Sequence, residues 1–198
     1  EFLERIREIR ASEKRFYQKL RDLFALSSDY DTTDKATQMF FAETQNKLLY
    51  AVTQKTAAEI IVSRADANSP NMALTNWKGT KVRKQDIYIA KNYLTKDEID
   101  TLNRLVVIFL ETAELRIKER IDISMEFWTK NVDRLLEFNN KPLLASKGSI
   151  SNKEMEDKVS EMYHLFEDRR KKQEAIADDK MELNELNELE KKLKRREK

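Results

Sequence analysis

Thr95-Lys96-Asp97-Glu98-Ile99-Asp100-Thr101-Leu102-Asn103-Arg104-Leu105-Val106-Val107-Ile108-Phe109-Leu110 decides the fold class. A threonine followed three residues later by a glutamate is the spacing at which each side chain reaches the other's backbone N–H at a helix start. Ile99, Leu102, Leu105, Val106, Phe109, Leu110 and Ala113 then recur at three and four, which puts them on one face of a helix predicted to run to about Ile121.

The same logic works outward in both directions. Thr56 with Glu59 opens a short helix carrying Ala57, Ala58, Ile60 and Ile61. Before it, a helix from about Thr33 to about Val52 is expected to bury Ala36, Met39, Phe40, Leu48 and Val52. A longer amphipathic one runs from Phe2 to Phe24, stopping at Ser27-Ser28-Asp29-Tyr30-Asp31. Downstream, Ser124 starts a helix with Phe127, Trp128, Val132, Leu135, Leu136 and Phe138 inside, ended by Asn139-Asn140-Lys141-Pro142. Ser151 and Glu154 open the last, with Val159, Met162, Tyr163 and Phe166 as its buried face. The expectation is an all-α, multi-helix bundle with a long charged C-terminal helix.

Composition agrees. Nearly half of the 198 residues are Ala, Glu, Lys, Leu or Arg, against 2 Gly and 2 Pro, too few turn-formers for hairpins and sheets. The 38 Lys plus Arg almost cancel 36 Asp plus Glu, so nucleic-acid binding would have to come from a local patch. The absence of Cys removes disulfides, thiolate nucleophiles and zinc fingers, and fits a cytoplasmic location. No apolar run approaches the roughly 20 residues of a membrane span. The chain opens inside a helical pattern without Met, and is expected to be part of a longer polypeptide.

Residues 1–166 are expected to form the core, with an aperiodic stretch at about 66–94 in which only a short helix from Asp86 to Tyr93 is anticipated. Residues 167–198 are a charged helical extension in which Ile176 and Leu183, and Leu186 and Leu193, stand seven apart, with Asp179 and Glu190 interrupting the seam. That pattern fits either a weak coiled coil with a second copy or a helix projecting into solvent.

The sharpest chemical signal is Thr75-Asn76-Trp77-Lys78-Gly79-Thr80-Lys81-Val82-Arg83-Lys84, four cations and a tryptophan without an acid. Cations there can neutralise phosphates while the indole stacks on a base or anchors a protein. The bland alternative is that Trp77 plugs the core while Lys78, Lys81, Arg83 and Lys84 face water. His164 is the sole histidine and offers little for catalysis or metal binding. Glu59, Asp66 and Asp86 with Lys78 or Lys91 are the ingredients of a magnesium-dependent nuclease, the rival reading. The leading one is non-enzymatic and needs no cofactor.

Along the loop and its flanks the sequence resembles the RhuM family of bacterial proteins. The resemblance is carried by Arg10-Ala11-Ser12-Glu13-Lys14-Arg15-Phe16-Tyr17, Gln45-Asn46-Lys47-Leu48, Thr56-Ala57-Ala58-Glu59-Ile60-Ile61, Arg64-Ala65-Asp66-Ala67, Pro70-Asn71-Met72, Trp77-Lys78-Gly79, Lys84 and Ala90-Lys91-Asn92-Tyr93-Leu94. Weaker matches extend to Leu136-Glu137-Phe138-Asn139. Where the family tends to have His and then Gly, this chain has Leu49 and Gln54, and Ala73 replaces another usual Gly. The resemblance implies a DNA-associated bacterial protein acting in virulence or phage defence, with an upstream helix-turn-helix reader. It singles out Arg64, Asp66, Trp77, Lys78, Lys84, Lys91, Asn92 and Tyr93 as loop residues for contact with nucleic acid or a protein partner. A structural alternative has Arg64 and Asp66 pairing with Lys91 or each other to pin the loop.

Overall fold

A computed structural model describes residues 25, 27–30, 35–119, 121 and 123–196; the expected helix from Phe2 to Phe24 lies outside them. Among the described residues the chain is all-α: α1 (Lys35–Thr53), α2 (Ala57–Arg64), α3 (Lys96–Lys118), α4 (Met125–Phe138) and α5 (Asn152–Arg196). No described helix is long and apolar enough to cross a membrane.

α1 lies against α3 and α4, which also pack on each other, while α2 joins the N-terminal part of α5. The core is aromatic at its centre: Trp128 is fully buried between Phe109 and Phe127, both with ring centroids at 5.4 Å. Its indole N–H donates to Ser27 Oγ at 2.7 Å, so the polar residues before α1 tie back onto α4. Asp29 does the same from outside, accepting from Met125 N at 2.8 Å. Lys47 is buried on α1 and its ammonium meets Asp133 of α4 at 2.9 Å, so the charge taken out of water is paired.

The capping residues behave as their spacing dictates. Glu98 accepts from the Thr95 N–H at 2.8 Å and Thr95 Oγ1 accepts from Glu98 N, closing the start of α3. Ser124 accepts from Phe127 N and starts α4. At α2 the glutamate half of the box forms: Glu59 accepts from the Thr56 N–H at 2.8 Å and from its hydroxyl at 2.9 Å. The Ala57 N–H, which has no carbonyl partner within the helix, donates to Asn46 Oδ1 of α1 at 2.9 Å.

Three expectations are corrected. Phe138 is 87% exposed. It follows Leu136 by two residues, about 200° round α4 from the face that buries Val132, Leu135 and Leu136. Met39 is exposed because the buried row of α1 runs through Phe40, Thr44, Leu48 and Ala51, one position over. In place of a helix from Asp86 to Tyr93 there are two 3-10 turns, Asp86–Tyr88 and Ala90–Tyr93, broken at Ile89, whose ψ of 104° is extended.

Between α2 and α3, residues 65–95 contain no α-helix, only those two turns and Pro70–Ala73, in which Asn71, Met72 and Ala73 have φ of 53°, 55° and 59°. Gln54, just past α1, has φ of 57°. Left-handed backbone is where glycine is free of strain, so Gln54 and Ala73 both hold a conformation that a glycine would adopt more readily.

Candidate functional site

The 65–95 segment surrounds side chains that end on its own backbone. Arg64, at the last turn of α2, grips both carboxylate oxygens of Glu98 at 2.6 Å and donates to Tyr93 O at 2.8 Å. The guanidinium holds the Glu98 carboxyl far down, at about 2, with the Thr95 N–H helping. Arg64 therefore pins the loop, but through Glu98 rather than through Asp66.

Asn92 and Tyr93 are buried and work inward. The Asn92 carbonyl accepts from Thr75 N at 2.7 Å and Asn76 N at 3.3 Å, and its side-chain amide donates to Asp86 O at 2.8 Å. The Tyr93 hydroxyl donates to Ile87 O at 3.0 Å; burial raises its pKa, so it stays a neutral donor. Asp66 accepts from Asn68 N at 2.8 Å and from the Ser69 hydroxyl at 2.6 Å, closing a turn. Lys91 is half-buried in the same wall.

The basic stretch docks on α5. Val82 enters the core, its carbonyl accepts from Arg170 at 3.4 Å, and Lys81 pairs with Glu174 at 2.7 Å. Arg169 reaches Asn68 Oδ1 and Ser69 O, both at 3.4 Å. Trp77 is half-buried against the core, its indole N–H shielded from solvent with no acceptor among the described residues. The bland reading thus holds for part of the loop. Lys78 and Lys84 are exposed and form no ion pair among the described residues.

Arg83 is the organised cation. Its Nε and Nη2 meet the two oxygens of Asp86 at 3.0 and 2.9 Å, and Asp86 also accepts from Arg83 N. The carboxylate side chain is 5% exposed and the guanidinium 46%. The Arg83 charge holds the Asp86 carboxyl below its ordinary range. Arg83, Lys84, Gln85 and Tyr88 line a shallow depression of about 650 Å³. Gln85 and Tyr88 escape sequence reasoning because neither spacing nor composition marks them; an aromatic four residues past a cationic pair was the only hint.

Glu59, Asp66 and Asp86 are not brought together. Glu59 lines a different cleft of about 610 Å³ with Tyr50, Lys55, Ser63 and Ser149, and accepts from Ser149 N and Oγ, both at 2.7 Å. Among the described residues no group of three or more acidic, His or Cys side chains is placed to hold a metal ion.

The model of the Virulence protein RhuM family matches residues 1–174. The chain belongs to the RhuM family. The match ends at Glu174, the α5 residue that pairs with Lys81 of the basic loop, so it includes the contacts by which Arg169, Arg170 and Glu174 hold that loop. No curated protein and no solved structure matches the chain.

Proposed function

We propose that this RhuM-family chain is a non-enzymatic, cytoplasmic helical module that binds nucleic acid, within a DNA-associated protein of virulence or phage defence. Its contact surface would be the Trp77–Lys84 loop together with the Arg169-Arg170-Lys171-Lys172 run of α5.

One observation carries the reading. The bonds from Arg169, Arg170 and Glu174 to the loop bring two basic segments, about ninety residues apart in sequence, side by side. Neutral sequence-wide charge is thereby compatible with a local cationic surface. Lys78 and Lys84 are exposed with no ion pair among the described residues, and Lys171 is 68% exposed, its ammonium 3.8 Å from Glu167. Cations spaced along a surface bind polyanions by releasing condensed counterions, without base contacts.

The test is fluorescence anisotropy of the 198-residue chain with labelled DNA and RNA across a salt series. Lys78→Glu with Lys84→Glu is expected to weaken binding at least about tenfold and to lower the salt slope by roughly two. Wild-type protein that binds neither nucleic acid at low salt overturns the reading and leaves a protein partner.

The projecting part of α5 supports self-association. Ile176, Leu183 and Leu186 are exposed there on a heptad-spaced row, with no core to cover them. Sedimentation equilibrium decides it: Leu183→Glu with Leu186→Glu should convert a dimer to monomer, and a wild-type chain already monomeric at high concentration refutes it.

A further inference from the structure

We propose that the depression bounded by Arg83, Lys84, Gln85 and Tyr88 receives one unstacked base of a single-stranded nucleic acid, with Arg83 and Lys84 on the flanking phosphates. The inference rests on the nucleic-acid reading and deepens it, from a polyanion in general to an open strand.

The depression is built from beneath. Asp86 is buried and fixes Arg83 through two guanidinium nitrogens, leaving further N–H donors of a five-donor group outside that pair. With its amide oxygen turned toward the guanidinium, Gln85 accepts from Nη1 at 2.9 Å and Nη2 at 3.0 Å. A relay from Asp86 through Arg83 to Gln85 then leaves the Gln85 NH₂ aimed away as a donor for a carbonyl or ring nitrogen. Tyr88, half-buried against the core, contributes a ring on a rigid turn anchored by Ile87 and Asp86.

Each part matches a demand of an unpaired base. An aromatic face stacks on any base, an amide donor meets its polar edge, and adjacent cations meet the phosphates on either side. A duplex hides its base faces in the stack and offers this pocket only phosphates. Lys78 and Lys84 alone would serve a duplex equally well; Tyr88 and the Arg83–Gln85 relay would be idle on one.

The experiment compares labelled oligo(dT) with a hairpin duplex of equal phosphate count, on the 198-residue chain. Wild type should bind the strand about tenfold more tightly than the duplex. Tyr88→Leu should erase most of that advantage while leaving duplex affinity in place, and Tyr88→Phe should retain it. Circular dichroism of Tyr88→Leu checks that the fold survives, and Gln85→Ala, at an exposed site, provides a second variant expected to weaken strand binding alone. Equal affinity for strand and duplex, or strand binding indifferent to both substitutions, overturns the pocket. If that duplex binding still falls in the Lys78→Glu, Lys84→Glu protein, the broader reading stands; if wild type binds neither probe, the broader reading falls.

Discussion

Gln54 and Ala73 sit in left-handed backbone, at φ of 57° and 59°. For a side-chain-bearing residue that conformation costs about 1–2 kcal/mol, against the roughly 0.5–1 kcal/mol that glycine loses in chain entropy. Gln54→Gly and Ala73→Gly should therefore each stabilise the protein by up to about 1 kcal/mol, read as a higher midpoint in urea. Gly148 is the opposite case. Its φ is 85° and a Cβ there would lie 2.7 Å from Thr56 Cγ2, against the residue that starts α2. Gly148→Ala should cost about 2 kcal/mol or more by the same measurement, since strain and clash add. Ala73 was readable in sequence as a departure from a glycine position, but its physical meaning was not, because φ is set by how Met72 and Leu74 are drawn into the core on either side.

The elements held by charge should respond to acid. Glu98 and Glu59 are both held at about 2, the first by Arg64 and the second by the Ser149 hydroxyl and the Thr56 and Ser149 N–H groups. A carboxyl whose folded pKa is depressed stabilises fully above its unfolded value near 4.5 and loses that contribution as pH falls toward 2. Discounted for solvent screening, each is worth about 1–2 kcal/mol. Melting temperature should hold steady above about pH 5 and fall between 4.5 and 2, and Glu98→Gln should flatten that fall while lowering stability at neutral pH. Both glutamates were found from their spacing to threonines, because a helix start is a local signal. Their partners Arg64 and Ser149, 34 and 90 residues away, were not, because no local pattern encodes a contact made by the fold. For the same reason the 3-10 turns were read as a helix: Asn92 and Tyr93 spend their polar groups on the carbonyls of Asp86 and Ile87, which breaks the α pattern at Ile89.

Among the described residues, periodicity located five α-helices and capping located four of their starts, at Thr56, Thr95, Ser124 and Ser151, while the arrangement around the loop emerged only in three dimensions. Four cations were visible in the sequence, yet the structure divides their labour: Lys81 docks, Arg83 is held by Asp86, and Lys78 and Lys84 are exposed with no ion pair among the described residues. Residues 175–186 are exposed throughout. A chain ending after Glu174 should thus unfold with the midpoint of the full-length monomer, measured at a concentration too low for self-association, whereas one ending at Phe166, without Arg169, Arg170 and Glu174, should lose hydrogen-exchange protection at residues 68–83.

The loop's clasps span 88 to 101 residues of sequence. During synthesis the Trp77–Lys84 segment leaves the ribosome long before Arg169 and Glu174 exist, so a nascent chain carries it undocked, with Lys81 unpaired and Val82 uncovered. The loop reaches its folded setting only once residues 169–174 have emerged as well, so its docking follows the synthesis of the first half of α5.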